Sequence, residues 1–150
     1  MKFAHYAKLT VFCHEGENFG NIKNALLEIV PFSLEQNKLK INETNATGFS
    51  EKKIKILEIN LQKESLISKF LKNLSSNLSE IQKGIILQQL ESRLDDGLHF
   101  FIRLDKEKWL NQRKLLLTDS GRCFHIKISM AAFPHKREIA LKMLTDFFSK

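Results

Sequence analysis

The chain is poor in cysteine, in tyrosine and tryptophan and, over its first half, in arginine. Two cysteines in 150 residues, Cys13 and Cys123, cannot build the disulfide framework of a small secreted domain. The amino-terminal stretch MKFAHYAKLTVFCHEGE lacks the apolar block of a signal peptide, and no run approaches the roughly 20 residues of a membrane span. These absences predict a cytoplasmic protein with no membrane partner. There is no P-loop, no dinucleotide-binding glycine pattern, no G-x-S-x-G and no H-E-x-x-H. A triad scattered along the chain would leave no local motif, but nothing points to one, and the sequence reads as non-enzymatic. Cys123 and His125 share a strand face, yet zinc wants four ligands, and the adjacent pair Cys13-His14 would point to opposite faces. The expectation is therefore buried cysteines, no metal and no cofactor.

What is present is ordinary globular composition with a basic bias. A hydrophobic content of 43% with 27% charged residues suits one folded domain over residues 1–150. Twelve Phe against one Tyr and one Trp give bulk with few polar handles. The net charge of +7 is not confined to a tail: residues 1–75 hold 11 Lys/Arg against 8 Asp/Glu. A basic folded domain attracts polyanions such as RNA, DNA or an anionic membrane; the plain alternative is a lysine-decorated soluble surface. All five arginines (Arg93, Arg103, Arg113, Arg122 and Arg137) lie in the second half, while the nineteen Lys are spread throughout. Arginine offers a planar, bidentate fork that lysine lacks.

The pattern of residues predicts the order β-α-β-β-α-α-β-β-β-α. Residues 3–13 read as a strand. Ile22, Ala25, Leu26 and Ile29 mark a helical face ended by Pro31. A short strand before Gly48 precedes a longer one over 52–62, where Ile56-Leu57 breaks the alternation and suggests a bulge or burial on both sides. Leu66, Ile67, Phe70, Leu71 and Leu74 mark a second helix. Ser79 with Gln82 forms a capping-box signature opening a third, from Glu80 to about Leu94. Then come a strand over 98–104, a short helical turn KEKWLNQ, and strands KLLLT and RCFHIKISMAAF around the turn TDSG. A last helix starts at Pro134, with Ile139, Ala140, Met143, Leu144 and Phe147 as its buried stripe. This is an α+β protein: a mixed, largely antiparallel sheet with helices packed on one face.

Alternation places His99, Phe101 and Arg103 on one face of their strand and His125 and Lys127 on the matching face of another, with Tyr6, Lys8 and Thr10 as counterparts on the first. Rings interleaved with cations suit single-stranded RNA, stacking on bases and meeting phosphates. A solvated polar face is also the default of an antiparallel sheet. His135, Lys136 and Arg137 open the last helix, where cations oppose the macrodipole unless an anion binds or the side chains swing into water. Arg93, Lys106, Arg113, Lys114 and Arg122 complete the set of candidate phosphate contacts. Asp95 and Asp105 each stand two residues after an arginine and are candidates for orienting it; exposed local pairing, contributing about 0–1 kcal/mol, is the plainer alternative. A protein-interaction adaptor is the competing function, using the sheet face or a Phe-rich surface near Phe147 and Phe148.

The stretch RLDDGLHFFIRLDKEKWLNQRKLLLTDSGRCFHIKISMAAFP, residues 93–134, resembles the signature of an archaeal family described as RNA-binding and as a predicted exosome subunit. Arg93, Asp95, Arg103, Asp105, Lys106, Asp119 and Pro134 match by type and order. His5, the strand to Cys13 and Glu17-Asn18 agree more weakly. Glu107, Lys108 and Trp109 depart from the glutamine and small residues common there. The resemblance implies a fold like ribosomal protein L-five and a non-catalytic role in RNA processing or degradation. The partners it implies are RNA and exosome or other RNA-processing proteins.

Overall fold

A computed structural model describes residues 2–150. Among them lie five strands and six α-helices: β1 (Ala4–His14), α1 (Phe19–Ile29), β2 (Asn42–Thr47), β3 (Lys53–Leu61), α2 (Glu64–Asn77), α3 (Glu80–Gln88), α4 (Leu90–Arg93), β4 (His99–Asp105), α5 (Lys106–Gln112), β5 (Cys123–Met130) and α6 (Arg137–Phe148). The strands form one sheet in the order β2-β3-β1-β5-β4, and every pairing is antiparallel. The α+β class and the largely antiparallel sheet agree with the sequence reading.

The two-residue period of the strands sets the layers. Ala7, Leu9 and Val11 of β1, Leu57, Ile59 and Leu61 of β3, Phe100, Ile102 and Leu104 of β4, and Ile126 and Ile128 of β5 are all essentially inaccessible. Helices cover that face: α1 with Ile22, Ala25, Leu26 and Ile29, α2 with Leu66, Ile67, Phe70, Leu71 and Leu74, and α6 with Ala140, Leu144 and Phe148. Full burial of each large apolar side chain contributes about 1.5–3 kcal/mol, so this layer dominates stability and leaves the opposite face open. The two cysteines are free and buried.

Four expectations are corrected. The sixth strand, residues 114–118, is not formed. The segment joins β4 only at the Leu104–Leu117 bridge, through the Thr118 N–H to the Arg103 carbonyl (3.0 Å) and the Asp105 N–H to the Leu116 carbonyl (2.7 Å), because β4 turns into α5 at Lys106 and leaves no strand opposite residues 114 and 115. The single helix to Leu94 is two, α3 and α4, broken at Gln89, whose backbone leaves helical values (φ −112°, ψ 15°). The last helix starts at Arg137, since Lys136 is extended (φ −130°, ψ 144°). Phe148 rather than Phe147 enters the core, so these residues form no exposed Phe surface: Phe147 is half-buried against Phe3 (5.1 Å between ring centroids). The broken alternation at Ile56-Leu57 is burial on both sides rather than a bulge: Leu57 is buried and Ile56 half-buried. The pairing of β3 is regular, and the bulge lies in β1 between Ala4 and Tyr6.

Candidate nucleic-acid interface

The register assembles the open face row by row. His99 lies opposite Ser129, which lies opposite Tyr6; Phe101 lies opposite Lys127, which lies opposite Lys8; Arg103 lies opposite His125, which lies opposite Thr10. All five side chains expected on the sheet platform, His99, Phe101, Arg103, His125 and Lys127, thus share one face of two adjacent strands, beside Tyr6 and Lys8. Phe101 and His125 rings meet at 5.4 Å between centroids, Tyr6 and His99 at 6.4 Å, and the Lys8 ammonium sits 5.7 Å from the Tyr6 ring. The basic character fades toward β3, where Glu58 pairs with Lys8 at 3.9 Å.

The turn before β4 fixes His99. Leu98 holds a left-handed conformation (φ 64°) within the core. A side chain at Gly97 would come within 3.0 Å of the His99 ring, so glycine there permits a close approach. Asp95 accepts the His99 backbone N–H (2.8 Å) and lies 3.2 Å from its Nδ1. Burial works against the ionised Asp95 carboxylate, but the His99 contacts and the Gly97 N–H outweigh it and hold its pKa below the ordinary value.

Arg93 reaches the same face from the end of α4. Its Nε and Nη2 donate to Gln89 Oε1 (3.0 and 2.6 Å) and its Nη1 to the Phe101 carbonyl (3.3 Å). Arg103 donates from Nη1 to the Asp119 carbonyl (3.1 Å). Together with Gln89, Ser92, Phe101, Thr118, Asp119 and His125 they line a cleft of about 380 Å³. Burial lowers the His125 pKa, and the neighbouring Arg103 and Lys127 lower it further, so the ring is neutral near pH 7.

The aspartates do not orient the arginines as expected. Asp95 holds His99, and Asp105 caps α5 by accepting the Lys108 N–H (2.9 Å). Gln89 and the Asp119 carbonyl do that work instead. Gln89, four residues before Arg93 on a helical stretch, was readable as an i,i+4 partner.

Several expected phosphate contacts lie elsewhere. Lys106 is buried, 2% exposed, and its ammonium donates to the Phe12 carbonyl (2.6 Å) and Glu17 Oε1 (2.8 Å); a buried, paired cation cannot meet a phosphate. Arg113 and Lys114 stand on the helical side, beside Trp109 and α1, and Arg113 pairs with Glu28 and donates to the Trp109 carbonyl (2.8 Å). Arg122 pairs with Glu107 and Glu17. Arg137 donates to the Leu94 carbonyl (2.8 Å), tying α6 to α4. His135 precedes α6, leaving only Arg137 of the trio in its first turn. Among the described residues no group of three His, Cys, Asp or Glu could hold a metal ion, and no helix is long and apolar enough to cross a membrane.

The open face and the whole chain can be set beside known proteins. The RNA-binding protein PAB1135 of Pyrococcus abyssi is 25% identical over 145 residues, covering 96% of this chain and 93% of its own. The crystal structure of AF2318 from Archaeoglobus fulgidus, a DUF54 protein, superposes with a TM-score of 0.85 at 28% identity, over 96% of this chain and 99% of that one. SSO0741 from Sulfolobus solfataricus, also DUF54, gives 0.72 at 26% identity, over 94% and 98%. The family model described as RNA binding matches residues 6–130, from within β1 to the end of β5. The chain belongs to this RNA-binding family.

Proposed function

We propose that the chain is one RNA-binding domain over residues 1–150 that lays single-stranded RNA across the open face of β1, β5 and β4. It acts without catalysis, as a cytoplasmic accessory of RNA processing or degradation. One observation carries this reading: Lys8, Lys127, Arg103 and Arg93 surround the rings of Tyr6, His99, Phe101 and His125 on one uncovered sheet face. Cations supply phosphate contacts and rings supply base stacking, worth roughly 1–3 kcal/mol per base. Family membership supports RNA as the ligand. The resemblance of residues 93–134 adds the exosome as the assembly in which it would work.

Titration of labelled single-stranded and duplex RNA at two salt concentrations tests it. Four phosphate contacts predict a slope of log affinity on log salt of roughly −3 for a single strand, with weaker binding to duplex. Absence of binding at low salt, or binding without a salt slope, overturns the reading. The adaptor reading draws on Phe49 and Phe133, which are 100% and 85% exposed and lie outside the strands. Partners that survive nuclease treatment in a pull-down and are lost on Phe49→Ser would favour it.

A further inference from the structure

The cleft beside β4 is more specialised than a general phosphate-binding surface. Arg113 and Arg122 are neutralised by glutamates. Arg93 and Arg103 are anchored on neutral oxygens instead, those of Gln89, Phe101 and Asp119. Three of the five N–H donors of Arg93 and one of those of Arg103 are engaged, so both guanidiniums keep uncommitted donors while being held in place. A held, unneutralised fork is suited to an oxyanion. Burial and the nearby Arg103 lower the Arg93 pKa, and the one carboxylate lining the cleft, that of Asp119, offsets this only in part and forms no ion pair among the described residues.

The cleft also lies where the sheet stops. β4 is the last strand, and the outward carbonyls of His99, Phe101 and Arg103 are all taken. The Asp95 N–H donates to the His99 carbonyl (3.0 Å), the Arg93 guanidinium to that of Phe101 and the Thr118 N–H to that of Arg103 (3.0 Å), while the Leu116 carbonyl accepts from Asp105 (2.7 Å). A strand crossing the face from β1 toward β4 meets Gln89, Ser92, Thr118 and Asp119 at this edge.

We infer that this cleft seats the terminal phosphate of an RNA strand between Arg93 and Arg103, with the Phe101–His125 ring pair under the adjoining base. A terminal phosphate monoester carries about −1.5 to −2 charge and three terminal oxygens. An internal diester offers one charge and two. Two guanidinium forks match the monoester better. The inference rests on the RNA reading above and adds strand-end recognition to it. Both the 5′ and the 3′ end present this chemistry.

Calorimetric titration of one single-stranded RNA in three forms tests the inference: 5′-phosphorylated, 3′-phosphorylated, and hydroxyl at both ends. One phosphorylated form binds about tenfold tighter than the hydroxyl form, and which one identifies the end. Arg103→Lys, at an exposed position, reduces this preference to within about twofold, because the charge is kept and the fork is lost. Asp119→Asn enlarges the preference by removing the competing carboxylate. Equal binding of all three forms by the unmodified chain overturns end recognition and leaves RNA binding standing. A preference untouched by Arg103→Lys overturns the assignment to this cleft. Binding of none of the three at low salt overturns the RNA reading and, with it, this inference.

Discussion

Lys106 shows how one side chain can look functional in sequence and be structural in space. Its ammonium bridges the Phe12 carbonyl and the Glu17 carboxylate, fastening the start of α5 to the far end of β1. Burial works against the Glu17 charge, but the Lys106 hydrogen bond, the His14 N–H and the charges of Lys106 and Arg122 outweigh it and keep its pKa below the ordinary value. Lys106→Met removes the cation, leaves the Phe12 carbonyl unpaired and leaves the largely enclosed Glu17 carboxylate with only the His14 N–H and Arg122. A loss of about 3 kcal/mol in unfolding free energy is expected by chemical denaturation. RNA affinity, measured where the variant is folded, stays within about twofold, since the lysine does not reach the open face. A tenfold loss of affinity with unchanged stability would return Lys106 to the binding set. The neighbouring Arg-Leu-Asp repeat resolves in the same way. Its aspartates serve a histidine and a helix cap, and its arginines are held by other groups.

Between elements, α3 and the 117–119 segment illustrate coupling that a sequence pattern misses. Ser79 caps α3 through the Gln82 N–H (3.1 Å), half of the expected capping box. The Gln82 side chain does not reach back; it accepts the Leu117 N–H (2.8 Å) and holds the segment that lines the arginine cleft. Ser79→Ala is expected to cost about 1 kcal/mol with little change in RNA affinity. Gln82→Ala costs a similar amount but frees the segment, and lowers RNA affinity severalfold. Equal affinities for the two variants would show that the segment does not shape the site. The helices and strands with clean periodicity were legible from sequence: α1 and α2 bury the residues that the 3.6-residue pattern marks. The open-face set on β4 and β5 was legible too, because alternation fixes facing once a strand exists. What was not legible depends on tertiary partners. The strand expected at 114–118 is lost because β4 gives way to α5 at Lys106, and Lys106 is buried through a contact 89 residues away in sequence.

Across the whole molecule, acid should act in opposite directions on stability and on RNA binding. His125 has a folded-state pKa below its ordinary 6.5, from burial first and then from Arg103 and Lys127. The unfolded chain therefore takes up this proton more readily, and the stability contributed by the neutral ring is present above about pH 6.5 and lost as the pH falls from there through the folded pKa. Glu17 and Asp95 have folded pKa values below their ordinary 4.5 and 3.8. Their contributions are present above those values and lost at lower pH, as the folded carboxylates protonate. Unfolding should thus show two acid steps, one beginning near pH 6.5 and one below about 4.5, each deepened by self-repulsion in a chain already at +7. RNA reverses the sign of the first step. Phosphates on the open face favour the imidazolium, so binding takes up a proton at His125 and affinity rises between pH 7.5 and 6. Denaturation midpoints and RNA titrations in the same buffers separate the two effects. His125→Phe keeps a ring on the face and should abolish both the first stability step and the gain in affinity. If affinity and stability fall together between pH 7.5 and 6, His125 does not face the RNA.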